Sequence, residues 1–309
     1  MDLRKYRDLF SSIIMYKHSE SRHNLKANPS KRCIQCHHVM SAMLKTGTDK
    51  IHNGFGNGDC ILADLGRNLY AVSDATERFP WGSRILLARL ADLFILHDGL
   101  SWPDRLQTAI EKARASQLYL HKSTLSAISI HKRANCLHCA IYHGGDSRII
   151  IIGTSDGTIQ YQSKADMNFA GRSQSPPKLT LLELTDPRTR IFLVTDGFQD
   201  FMPFLGTGSD SRLPEILWRL PVHEVSAFIE NLIAAQTNRT AYDDIGCLIL
   251  DPFQDSIDLT RLIMGGTRPD EEKSFQSTAT ALHDQWIGSE EWPDHIDQLS
   301  AAGILIYPE

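Results

Sequence analysis

Four aspartates share one local setting. Asp74 follows LYAVS, Asp146 follows CAIYHGG, Asp196 follows IFLVT, and Asp243 stands just before IGCLIL. Each lies at the end of an apolar run of strand length or in its turn. A single aspartate there is normally a turn former. Four of them in a largely antiparallel chain can converge on one edge of the sheets. Converging carboxylates repel one another in a partly buried place unless a cation neutralises them. An all-oxygen set, without His or Cys, suits the hard cations Mg²⁺ or Mn²⁺ better than zinc. Two such ions roughly 3.5–4 Å apart clamp a phosphoryl group, acidify a bridging water and stabilise an in-line transition state. The chemistry implied is hydrolysis by metal-activated water, with no protein nucleophile.

Two further clusters carry ligand-type side chains. Cys33-Ile34-Gln35-Cys36-His37-His38 has the spacing of a c-type haem attachment sequence or of half a zinc site. Without an export signal haem is the poorer reading. A zinc ion would take Cys33, Cys36 and one of His37 or His38, with His18 or His23 as a further ligand; the plain alternative is a reduced surface pair. Cys136-Leu137-His138-Cys139 repeats the cysteine spacing on a strand, where residues three apart face opposite ways, so core packing is the better account of that pair. Cys60 and Cys247 read as small buried hydrophobes. His131 and His143 flank the strand leading to Asp146; either is a candidate general acid, although a lone strand histidine is more often structural, and metal-bound water is the preferred proton donor.

The elements that must position these residues follow from periodicity. Cys60–Leu62 and Leu69–Val72 read as strands joined by a turn around Asp64, Gly66 and Asn68. After the loop SDATERFPWG, two helices are expected. The first runs over Arg84–Leu96. The second covers about Pro103–Leu120, with Ser101 and Asp104 at its start and Leu106, Ile110, Ala113 and Leu118 on its core face. Strands then recur at Leu125–Ile130, Leu137–Tyr142, Ile149–Ile152, Gly157–Tyr161, Leu179–Leu184 and Ile191–Val194. A helix over Val222–Gln236 and a last strand, Ile245–Leu250, complete the order. Short turns between strands and helices grouped in pairs give an α+β layered fold, not alternating βαβ units.

Residues 1–50 read as an accessory segment, with helical spacing over Leu3–Tyr16 and a short helix-like run over Val39–Lys45. Residues 253–309 read as a polar tail. The 309 residues are 42% hydrophobic and 22% charged, ordinary for a globular protein, and the formal net charge of −5 argues against a nucleic-acid partner. The N-terminal residues do not read as a signal peptide, and no run approaches the roughly 18 apolar residues of a membrane span. A cytoplasmic location with reduced cysteines is expected.

The segments NGDC, VSDAT, GGDSR, FLVTDGFQDF and YDDIGCLIL resemble, in order and spacing, the motif series of the type 2C metal-dependent protein phosphatases, over residues 51–252. The resemblance implies a four-layer α-β-β-α sandwich, two antiparallel sheets face to face with helices outside. It implies hydrolysis of phosphoserine and phosphothreonine in a phosphorylated protein at a binuclear Mn²⁺ or Mg²⁺ centre. Asp74 would bridge both ions, and the carbonyl of Ala75 would reach the first. Asp196 and Asp243 would complete the second, with Asp59 holding metal-bound water in the outer shell. Asp146, with Asp196, would take the third, weaker ion of some members.

The match departs from the pattern in places. Ala75 stands where the family usually has Gly, and Gly58 where Glu or Gln commonly precedes Asp59. Gly54 occupies the position of the phosphate-binding Arg of many members, which leaves Arg78 or Arg84 as candidates for that role. These losses define an alternative, a degenerate, catalytically weak phosphatase fold acting as a binding or regulatory module. Retention of the whole carboxylate set argues for the active enzyme, since clustered acids cost stability when no ion is present.

Overall fold

A computed structural model describes residues 40–48, 50, 53–153, 158–173, 175–199, 219–222, 225, 228–229, 243–254, 261–270 and 304–307. The expected helix Leu3–Tyr16, the Cys33/Cys36 cluster and its His18, His23, His37 and His38 lie outside these residues. In chain order the elements are β1 (Met40–Lys45), β2 (Asp59–Asp64), β3 (Leu69–Asp74), α1 (Gly82–Leu96), α2 (Trp102–Ser116), β4 (Leu125–Arg133), β5 (Cys136–Gly144), β6 (Arg148–Gly153), β7 (Thr158–Gln162), β8 (Thr180–Leu184), β9 (Arg190–Val194), α3 (Asp196–Gln199), β10 (Ile245–Leu250), β11 (Arg261–Gly265) and β12 (Ile304–Tyr307).

The strands form two antiparallel sheets, one in the order β1-β10-β9-β6-β7, the other β12-β11-β2-β3-β4-β5-β8. Alternation along each strand explains the layering. On β2 and β3, Ile61, Ala63, Tyr70 and Val72 face the other sheet, where they meet Ile149, Ile151, Ile191, Leu193, Leu248 and Leu250. The alternate residues Cys60, Leu62, Leu69 and Ala71 face α1 and α2 through Leu86, Leu90, Phe94, Leu106 and Ile110. The outer face of the five-stranded sheet is covered by the helical residues Val222, Val225 and Ile229, packed on Phe192, Val194, Ile245 and Cys247. This is the α-β-β-α sandwich, and its central strands β2, β3, β9 and β10 are buried on both faces because both faces are covered. Among the described residues no helix is long and apolar enough to cross a membrane.

Three expectations need correction. Met40–Lys45 is a strand, not a helix: it pairs with β10 along the sheet edge. The helix-forming Met, Ala, Leu and Lys residues are overridden by tertiary packing, since Met40, Ala42 and Leu44 enter the intersheet core and Met43 the opposite face. Leu118 is not a core residue but 61% exposed. Helix α2 stops at Ser116 because Gln117 is extended and its Nε2 bonds the carbonyls of Gly82 and His121. The segment after residue 252 is more than a polar tail: β11 pairs with β2, carrying Leu262 and Met264 into the core, and β12 pairs with β11. The sheets therefore take strands from outside residues 51–252.

Candidate metal centre

Antiparallel order gathers the aspartates. In one sheet β2 starts, β3 ends and β4 starts at the same rim; in the other β6 starts, β9 ends and β10 starts there. The two rims face each other. Asp59 and Asp74 are register partners at the ends of β2 and β3. Their parity with Ile61 and Val72 turns both side chains into the intersheet space. Asp146 precedes β6, Asp196 follows β9 as the first residue of α3, and Asp243 and Asp244 precede β10.

Carboxylate oxygens of Asp74, Asp146 and Asp196, all half-buried, lie within 4.8 Å of one another. Ligands on opposite sides of one Mg²⁺-sized ion are about 4.2 Å apart, so the cluster matches a single hard cation. Burial, and then the charges of Asp196, Asp244, Asp243 and Asp146, hold the Asp74 carboxyl well above the usual carboxylate range. A cation would reverse that cost.

The scaffold holds several of the candidate ligands in place. The Asp74 amide donates to Thr124 Oγ1 at 2.8 Å, and Ser73 Oγ to the Thr124 carbonyl at 2.6 Å. Gly145, at φ +103°, donates to Asp166 Oδ1 and turns the chain just before Asp146. The Ala75 amide donates to the Gly58 carbonyl. A Cβ at Gly58 would stand 2.7 Å from the Ala75 carbonyl oxygen and 3.3 Å from Asp74 Oδ1. Glycine there leaves the space that this carbonyl and Asp74 need, which accounts for the missing Glu or Gln.

Asp59 stands behind the cluster, fully buried. Thr195 Oγ1 donates to its Oδ2 at 2.6 Å, and among the described residues its Oδ1 has no hydrogen-bond partner. Burial first, then Asp74, Asp244 and Asp196, push its carboxyl well up, against the lowering effect of Thr195. Asp243 is exposed and outside the three-carboxylate cluster. Its Oδ1 lies 3.3 Å from Lys50 Nζ.

Sequence reasoning missed three participants. Asp244, nearly fully buried, receives the amides of Gly47 and Gly58 at 2.7 Å each and locks the loop before Asp59; burial pushes its carboxyl up to about 7 despite those bonds. The doubled Asp before IGCLIL was its only signal. Thr195 ties the rims together, donating to Asp59 and accepting the Gly246 amide. Lys50, buried, reaches Glu77 Oε1 at 3.0 Å as well as Asp243. Burial works against its ammonium, yet Glu77, Asp243 and Asp244 outweigh it and raise its pKa. Nothing in the sequence links residues so far apart.

The remaining candidates are not part of the three-carboxylate cluster. Arg78 is exposed on the loop after Asp74. The Nε of Arg84 donates to the Gly265 carbonyl at 2.8 Å, which commits that side chain to the sheet. Gly54 sits in an open turn at φ +69°. His143 shares a hydrogen bond with Ser126 Oγ, and burial lowers its pKa. His131 stacks on Trp102, six residues along β4 from Leu125, about 20 Å from the rim. Cys60, Cys139 and Cys247 are buried, whereas Cys136 is only half-buried and contacts His138.

No family model matches this sequence. Comparison with curated proteins gives no match either. Solved structures do share the fold. The catalytic domain of the serine/threonine protein phosphatase PstP in complex with two manganese ions aligns at TM-score 0.52 and 22% identity, over 68% of this chain and 97% of that one. The Mycobacterium tuberculosis serine/threonine phosphatase PstP/Ppp aligns at 0.53 and 21%, over 68% and 97%. A bacterial serine phosphatase aligns at 0.51 and 15%, over 68% and 96%. The chain has the fold of these phosphatases, the group its sequence motifs resemble.

Proposed function

We propose that this chain is a divergent type 2C phosphatase that hydrolyses phosphoserine and phosphothreonine esters in proteins with Mn²⁺ or Mg²⁺. The convergence of Asp74, Asp146 and Asp196 on one point of the rim carries the reading. The manganese ions named for one phosphatase of the same fold support it.

Asp74, the Ala75 carbonyl, Asp196 and Asp243 would hold two ions, and Asp146 with Asp196 a third. Such ions supply an acidified water and a sink for the charge of the phosphoryl oxygens. The protein's own groups do the rest. Asp59, anchored by Thr195 through Oδ2, offers Oδ1 as acceptor to water entering the rim. Asp244 holds the backbone of Gly58, and through it the space for Ala75, rigid. Lys50 takes the part left by the absent arginine at Gly54: its ammonium lies beside Asp243 and Glu77, where it can turn to the substrate phosphate as a point charge.

A second reading rests on the same lysine. Lys50 already gives Asp243 a positive partner, which suits a protein that binds a phosphorylated partner and turns it over poorly. One assay separates the two. The enzyme hydrolyses a chromogenic phosphate ester and a phosphothreonine peptide with Mn²⁺, loses this with chelator, and loses it in Asp74→Asn. Phosphopeptide binding without turnover at any Mn²⁺ concentration favours the binding module. Turnover untouched by Asp74→Asn contradicts the metal mechanism.

A further inference from the structure

We infer a zinc site on the outer face of the seven-stranded sheet, formed by Cys136, His138 and Glu183, apart from the carboxylate rim. One ligand atom from each lies within 4.8 Å of the other two. Cys136 and His138 are two residues apart on β5 and so share a face. Glu183 on the edge strand β8 is the register partner of His138. The expectation that this stretch is only core packing holds for Cys139, which faces the core, and fails for Cys136, because its chelating partner is two residues on, not three.

The spacing suits the ion. With Zn–S about 2.3 Å and Zn–N about 2.0–2.1 Å, two tetrahedral ligands stand about 3.6 Å apart. Cys136 Sγ and His138 Nε2 are 3.5 Å apart. Thiolate and imidazole select zinc over the hard cations suited to the aspartates. The site is built on paired strands, and Trp102 lies against His138, with ring centroids 6.5 Å apart. His131, opposite His138 on β4, is stacked on the same tryptophan and lies outside the three-residue cluster. Binding releases the Cys136 thiol proton to solvent and forms Zn–S, Zn–N and Zn–O bonds with no change of oxidation state. The ion clips β8 to β5, securing the strand that ends this sheet among the described residues.

The test uses the full chain carrying Cys33→Ser and Cys36→Ser, which removes the other cysteine cluster. Cobalt substitution gives a thiolate-to-metal absorption band, and zinc is retained at one per chain after chelator-free gel filtration. Cys136→Ser and His138→Ala each abolish both, and Glu183→Gln weakens zinc at least about tenfold. Mn²⁺-dependent ester hydrolysis, if present, is unchanged in all three. Should Cys136→Ser misfold by circular dichroism, His138→Ala and Glu183→Gln decide. No thiolate band in the parent protein, or a band that survives in the folded variants, overturns the site.

Discussion

Asp59 and Asp74 sit directly opposite each other at the ends of two paired strands, both facing the space between the sheets. Two carboxylates on one cross-strand pair, with Asp196, Asp146 and Asp244 nearby, are an electrostatic cost that the hydrophobic sandwich carries. Folding alone gives no reason for that arrangement, whereas divalent cation binding does.

Removing one charge from the group should therefore stabilise the metal-free protein. Asp74→Asn keeps the shape and relieves repulsion from four neighbours. A gain of about 1 kcal/mol raises the chelator-treated Tm by roughly 2–4 °C, measured by calorimetry. Wild-type protein gains stability from Mn²⁺ by mass action, and the variant gains little. A lower metal-free Tm in the variant would show that Asp74 has a stabilising partner.

Glycine at 58 is predicted to matter for metal and glycine at 54 only for backbone. Gly58→Ala drives a methyl group to 2.7 Å from the Ala75 oxygen. It should cost about 1–3 kcal/mol and weaken Mn²⁺ binding. Gly54→Ala meets open space but keeps φ +69°, so about 1–2 kcal/mol of strain and an unchanged Mn²⁺ affinity are expected. Isothermal titration of both variants checks the contrast.

Lys50→Gln should raise KM for a phosphopeptide by about tenfold, with kcat changed less, and weaken inhibition by inorganic phosphate. Lys50→Arg should restore much of the affinity. A lysine that served only to hold Asp243 would instead alter Mn²⁺ affinity and leave KM alone.

The pH dependence of the metal-free protein has a definite sign. Asp244 titrates at about 7 in the fold and near 3.9 when unfolded. Between these values the native state holds a proton that the unfolded chain has released, so stability falls as pH rises through the window. Asp59 and Asp74 are shifted the same way. His143, shifted down, works in the opposite sense below about 6.5 and is outnumbered. With chelator, Tm should be higher at about pH 5 than at about pH 8; saturating Mn²⁺, which needs ionised carboxylates, should reverse that order.

Much of the fold was legible because most of its strands are apolar runs bounded by turn residues. Ile245–Leu250 was read to the residue, and the turn before Leu69 was marked by Gly66 and Asn68, the latter at φ +49°. Met40–Lys45 was not legible, since its strand character comes from pairing with β10, some 200 residues away. Four apolar-flanked aspartates were visible as candidates, and their order within the motifs suggested a shared site. The partners that shape the rim were hidden for a physical reason: Lys50, Glu77 and Asp243, or Thr195 and Asp59, become neighbours only when strands from distant parts of the chain align.

Crystals grown with Mn²⁺ and measured at the manganese absorption edge give the most direct test. Two anomalous peaks roughly 3.5–4 Å apart are predicted, both within bonding distance of Asp74, one also touching the Ala75 carbonyl and the other Asp196. A map with no peak beside Asp74, from protein shown to be folded and exposed to saturating Mn²⁺, would contradict the metal centre.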